Sequence, residues 1–188
     1  MPDRLNRIVT RGGDKGETSL GDGARVAKSD PRIGLLGDVD ELNSWVGVAL
    51  AHEPGAEVRP ILIGAQHDLF DLGGGLCFPG APLLSERHVA RIDEAAATLN
   101  KTLPPLKEFV LPGGAPLVAW LHVARTVCRR TERAAAAFLA DEPGHALAYL
   151  NRLSDYLFIA ARVEARRLGV AETLWEKAHS VAGEANGS

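Results

Sequence analysis

The chain has 188 residues, 46% of them hydrophobic and only 5% aromatic, with a formal net charge of −3. That length suits one domain with a real core, and abundant Ala and Leu with few aromatics favour helices over sheets. The slight negative balance argues against a general nucleic-acid binder. No apolar run reaches the ~18 residues of a membrane span, and the start carries no apolar signal segment.

Residues 1–28 are rich in glycine, charge and small polar groups, without a helical or strand period. Asp30-Pro31 then supplies an N-cap type followed by proline at the first helical position. Ile33, Leu36, Val39, Leu42, Val46 and Ala49 continue at helical spacing to about His52, where Glu53-Pro54-Gly55 stops the first helix. The second opens near Glu57, with Val58, Leu62, Ala65, Leu69, Leu72 and Leu76 as its stripe; Gly73-Gly74-Gly75 and Pro79-Gly80 are expected to break it. A third follows Ser85, carries Val89, Ile92, Ala96 and Leu99, and ends before Pro104-Pro105. The fourth runs from Pro112-Gly113-Gly114 to about Ala140 on Leu117, Leu121, Ala124, Cys128, Thr131, Ala135 and Phe138. The fifth spans about His145 to Leu168, with Gly169 as its C-cap, and the tail beyond Trp175 is weakly patterned. With no run of alternating strands and no long repeat, the expectation is all-α: one domain, a five-helix antiparallel bundle over 30–169. An irregular segment (1–28) precedes it and a tail (170–188) follows. Cys77 and Cys128 form no metal-type pair, and with no signal segment the protein reads as cytoplasmic.

Five stretches could carry chemistry. Thr10-Arg11-Gly12-Gly13-Asp14-Lys15-Gly16-Glu17-Thr18-Ser19 has glycines that let backbone N–H groups approach phosphate, with cations and hydroxyls beside them. It lacks the P-loop spacing, and taken alone it reads more readily as a polar terminus. On the fourth helix, Arg125, Arg129, Glu132 and Arg133 fall within about a quarter-turn at ~100° per residue, and Arg130 points away. Three guanidiniums on one stripe repel each other, and a polyanion would resolve the conflict; a solvated face is the other reading. Asn151 and Asp155 lie one turn apart beside the apolar stripe of the fifth helix, as amide donor and acid, or simply as polar flanks. Asp38-Val39-Asp40-Glu41 on the first helix is either dipole-favoured acid or a partner for Arg125. Phe109 stands just ahead of the Pro112-Gly113-Gly114 turn. A di-iron carboxylate bundle is disfavoured, because Glu142–His145 lies in a turn and Glu176–His179 in the tail. No Asp-x-His-x-x-Gly string is present; Leu50-Ala-His52-Glu-Pro-Gly55 lacks the aspartate.

The order TRGGDKGETSL, GDVDELNS, FVLPGG, HVARTVCRRTER, NRLSDYLF resembles the propanediol-utilisation type of ATP:cob(I)alamin adenosyltransferase from about Thr10 to Arg167. The resemblance implies a homotrimer of five-helix bundles with active sites between subunits, ATP and a corrinoid as substrates, and Mg²⁺. Thr10, Arg11, Gly12, Gly13, Thr18 and Ser19 match the family's ATP loop, and Lys28 its phosphate-binding lysine. Arg129, Arg130, Glu132 and Arg133 match the triphosphate and Mg²⁺ segment, and Asn151 the nucleotide-binding asparagine. Asp40 and Arg125 match an intersubunit ion pair, and Phe109 the aromatic beneath the corrin ring. The family often places a second apolar side chain near the corrin at the C-terminus; none aligns within Trp175–Ser188. A flavoprotein reductase and a cobalamin-dependent acceptor enzyme are the implied protein partners. Two other classes stay open on the residues alone: a nucleotide sensor without catalysis, and a di-metal oxidase.

Overall fold

The computed structural model describes residue 9 and residues 11–141 and 144–180. Five helices carry the fold: α1 (Pro31–Ala51), α2 (Arg59–Cys77), α3 (Glu86–Asn100), α4 (Pro116–Phe138) and α5 (Ala146–Arg167). They neighbour one another in the order α2–α1–α4–α5–α3, with α2 and α3 meeting more lightly. The apolar stripes read from the sequence converge into one core, in which Leu42, Leu62, Ile92, Leu121, Leu150 and Leu157 are fully buried.

Local chemistry explains the helix boundaries. The Asp30 side chain accepts from the Arg32 N–H at 2.8 Å, and Pro31 opens α1 where no amide hydrogen is needed. Ser85 and His88 cap each other at the start of α3. Gly169, at φ 67°, ends α5, and the Val170 N–H returns to the Ala165 carbonyl at 2.9 Å in a Schellman-type closure.

Two expectations need correcting. The glycine triplet does not break α2; the helix runs through it to Cys77. A Cβ on Gly75 would sit 2.7 Å from Leu83 Cδ2 and 2.9 Å from the Pro82 carbonyl, so the residue serves close approach of the following loop. The N-terminal segment also contains a small hairpin, β1 (Glu17–Ser19) paired antiparallel with β2 (Arg25–Ala27). Three-residue strands are too short to show a period of two. The hairpin is fastened to the end of α2 by the Gly21 N–H, which donates to the Cys77 carbonyl at 2.9 Å. Among the described residues no helix is long and apolar enough to cross a membrane.

Candidate active site

The middle of α4 holds the charged stripe. Arg125 is half-buried, Arg129 and Arg133 are exposed, and Glu132 lies half-buried against α5. Asn151 Nδ2 donates to Glu132 Oε1 at 2.9 Å, and Arg152 Nη1 donates to Asn151 Oδ1 at 2.7 Å. Arg152 is itself paired with Asp93 on α3 at 2.8 Å, so a polar chain from α3 orients the Asn151 amide. Among the described residues no carboxylate lies within ion-pair distance of Arg125, Arg129 or Arg133. Burial, and then the neighbouring Arg129 charge, lower the Arg125 pKa from its usual value. The three arginines, with Glu132 the one acid among them, therefore leave the stripe net cationic and suited to a polyanion.

Arg130 is placed elsewhere. Its guanidinium pairs with Glu41 and, at 3.7 Å, with Asp38, both on α1. Thr131 Oγ1 lies beside it in the same seam, 3.1 Å from the Asp38 carbonyl. The helical spacing that sets Arg130 apart from the stripe aims it at α1.

Phe109 is 77% exposed, on the loop ahead of α4. With Leu106, Val110, Arg125 and Phe158 it lines an open cavity of about 460 Å³. The Arg125 guanidinium lies 6.0 Å from the centre of the Phe158 ring, a weak cation–π contact. An unshielded aromatic thus faces the same space as the first cation of the stripe. Behind Arg125, its Nε donates to His122 Nδ1 at 3.4 Å. Burial above all, and Arg125 next, push the His122 pKa down to about 4 against an opposing pull from Glu172, so His122 is neutral at pH 7.

The remaining candidates lie on another side of the bundle. Arg11 adopts φ 58°, a left-handed conformation uncommon outside glycine. A Cβ on Gly13 would come 3.0 Å from Lys28 Nζ, so the lysine lies against the glycine turn, and the Lys28 N–H donates to the Gly16 carbonyl at 2.8 Å. Arg25 ties Gly12, Thr18 and Ser19 into one unit: it donates to the Gly12 carbonyl at 2.9 Å and to Ser19 Oγ at 3.3 Å, from the strand that pairs with Thr18. Thr10 falls outside the described residues. Asp40 is exposed and lines a groove of about 330 Å³ with Leu36, Phe70, Gly73, Gly74 and Cys77. Among the described residues no hydrogen bond or ion pair joins residues 11–28 or Asp40 to the arginine stripe.

Sequence reasoning missed Arg25, His122 and Phe158. His122 and Phe158 sit within or beside apolar stripes and look like core. Arg25 has no motif around it, and its role appears only once the hairpin brings it back over Gly12. The tail was also missed: Leu174 bridges Val110, and the Trp175 N–H donates to the Phe109 carbonyl at 2.7 Å.

Comparison with known proteins shows the family. The model of the cobalamin adenosyltransferase family matches residues 8–164. A cobalamin adenosyltransferase of Cupriavidus metallidurans is 50% identical over 184 residues, covering 94% of this chain and 98% of that protein. A corrinoid adenosyltransferase of Mycobacterium leprae is 46% identical, covering 87% of this chain and 93% of its own. Among solved structures, a variant PduO-type ATP:corrinoid adenosyltransferase from Lactobacillus reuteri, complexed with cobalamin and ATP, superposes with a TM-score of 0.83. It is 34% identical, over 90% of this chain and 99% of that one. By family model, sequence identity and fold alike, the chain belongs to the cobalamin adenosyltransferase family.

Proposed function

We propose that the chain performs its family's reaction, moving the 5′-deoxyadenosyl group of ATP onto the cobalt of a cob(I)alamin-type corrinoid, and that the residues above divide the work as follows. The observation that carries this reading is the meeting of an exposed aromatic, Phe109, with Arg125, the first cation of the arginine stripe, around one cavity. Arg129 and Arg133 bind the triphosphate, and the Glu132–Asn151 pair orients the nucleotide. Mg²⁺ enters with ATP: Glu132 Oε1 is taken by Asn151, one carboxylate is a poor metal cage, and the ion's contribution is to neutralise phosphate charge.

Phe109 lies under the corrin, where an apolar ring displaces the axial base and keeps water from the metal, favouring cobalt(I). The cobalt electron pair then forms the Co–C5′ bond as the C5′–O bond breaks, and the triphosphate leaves with that bond's electrons. Charge grows on the leaving group, where the arginines stabilise it. No proton moves in the attack, which suits a site whose nearest histidine, His122, is neutral and faces Arg125. Alignment supplies the rest, the carbon held about 3–3.5 Å from the metal.

In this reading the active site is intersubunit. The loop around Gly12 and Gly13, Lys28 and Asp40 of one copy complete the stripe of the next, with Asp40 meeting Arg125 in a homotrimer. Two observations support it: among the described residues Arg125 has no acidic partner within ion-pair distance, and Asp40 borders an apolar groove where Phe70 is 72% exposed. Arg130, matched to the triphosphate segment, contributes there only after leaving Glu41. A cytoplasmic setting, a flavoprotein reductase and a cobalamin-dependent acceptor enzyme belong to the same reading. The direct test mixes protein, MgATP and chemically reduced cob(I)alamin and follows the corrin spectrum. Conversion to adenosylcobalamin is expected; none, with ATP bound, refutes the assignment.

A further inference from the structure

The loop carrying Phe109 has little beneath it. A cavity of about 250 Å³ lies between residues 110–114 and the bundle, floored by Val118, His122, Ala161 and Ala165. Phe109 itself is not seated in the core; it is 77% exposed. What holds the loop is its edge. Past the Gly169 turn the chain comes back as a strap, and the Leu111 N–H donates to the Thr173 carbonyl at 2.8 Å. The Trp175 N–H donates to the Phe109 carbonyl at 2.7 Å, so one bond falls on Phe109 itself.

The strap is anchored by one buried cation. Arg162 on α5 is only 5% exposed. Its Nε donates to Glu172 Oε1 at 2.8 Å, and its Nη2 lies 3.3 Å from Glu172 Oε2. The same Nη2 donates to the Pro104 carbonyl at 3.0 Å, at the other root of the Phe109 loop. One guanidinium thereby grips the strap and the base of the loop together. A planar fork holds the carboxylate bidentately and the carbonyl beside it in fixed geometry, which a rotatable ammonium does not.

We propose that Arg162 and Glu172 are positioning residues for the transfer reaction: their ion pair holds the 170–175 strap, and the strap fixes the backbone that presents Phe109. The inference rests on the reading of Phe109 as the residue beneath the corrin. Neither residue touches the reacting atoms. Without the pair the strap loses its anchor, the two backbone bonds open together, and the loop is free to sink toward the void. The nucleotide half of the site, on the far part of α4, is untouched.

The test uses the full chain with Glu172→Ala, Glu172→Asp and, because removing a buried ion partner can unsettle folding, Trp175→Pro beside Trp175→Ala. Trp175→Pro removes the N–H given to Phe109 and leaves the ion pair intact; Trp175→Ala controls for the lost side chain. Amide hydrogen exchange is followed across 106–112 without corrinoid, and KM is measured separately for cob(I)alamin and MgATP. Glu172→Ala and Trp175→Pro should speed exchange at Leu111 about tenfold or more, since local opening sets that rate. Both should raise the corrinoid KM about tenfold while the ATP KM stays within about twofold, and Glu172→Asp should recover most of the loss. Unchanged exchange in Glu172→Ala overturns the strut. Faster exchange with an unaltered corrinoid KM overturns its link to Phe109. Failure of the parent protein to adenosylate cob(I)alamin would count against the reaction instead, and the exchange comparison would still decide the strut.

Discussion

Replacing Phe109 by alanine separates the corrinoid half of the reaction from everything else. In the free protein the ring is 77% exposed, so it contributes roughly a quarter of the ~1.5–3 kcal/mol available from burying a phenylalanine. Its removal should cost about 0.5 kcal/mol of stability, a fall in Tm of about 1–2 °C for a domain of this size. The other three-quarters is realised only when the corrin covers it. That amounts to about 1–2 kcal/mol, or roughly a 5- to 30-fold loss in kcat/KM for the corrinoid. Thermal unfolding by circular dichroism reads the first number; initial rates with cob(I)alamin and MgATP varied in turn read the second. If Phe109→Ala raises the ATP KM as much as the corrinoid KM, or lowers Tm by more than about 5 °C, the ring is not a free face awaiting the corrin and the reasoning fails.

Other consequences follow from the same geometry. Arg129→Ala should raise the ATP KM about 10- to 100-fold, the range for a lost charge-assisted hydrogen bond, whereas Arg130→Ala should spare KM and lower stability by no more than about 1 kcal/mol. Nucleotide titration and thermal melts distinguish the two. If Asp40 and Arg125 meet across an interface, Asp40→Ala and Arg125→Ala are each inactive, yet co-expressed in equal amounts they should regain about a quarter of parental activity, because one random interface in four carries both native residues. No recovery would place the pair within one chain. His122 has its folded pKa depressed to about 4, so the unfolded chain binds the extra proton first; stability present above about pH 6.5 is lost as pH falls toward 4, on the order of 3 kcal/mol. Denaturant melts at pH 7 and pH 4.5 should show His122→Gln losing less than the parent across that window.

The bundle was legible because its punctuation is chemical. Asp30-Pro31, Ser85 and Gly169 each terminate or start a helix through hydrogen bonds that a sequence reader can anticipate. Gly73-Gly74-Gly75 misled for the complementary reason: glycine's helix penalty is a local quantity, and packing of Leu36 and Leu83 against the triplet overrides it. In the site, the spacing of Arg125, Arg129, Glu132 and Arg133 was readable from helix geometry alone, and so was the departure of Arg130. The strap was not. Its contacts with Phe109 and Leu111 join residues some sixty positions apart through main-chain groups, and main-chain groups leave no mark on composition. Arg25 and His122 share this difficulty, since each acts on a neighbour brought by folding rather than by sequence.

The unbroken glycine run in α2 has a consequence for engineering. A Cβ on Gly74 would meet nothing within 4 Å in the single chain. Gly74→Ala should therefore strengthen an isolated helix by about 0.5–1 kcal/mol, the usual return for removing backbone freedom. The same methyl would project beside the groove bordered by Phe70 and Asp40. If a second copy packs there, the substitution that improves the lone chain weakens the assembly, and turnover falls as melting temperature at low concentration rises. Gly74 would then be a flaw in the monomer kept for the sake of the oligomer, and screening for thermostability alone would select against the enzyme.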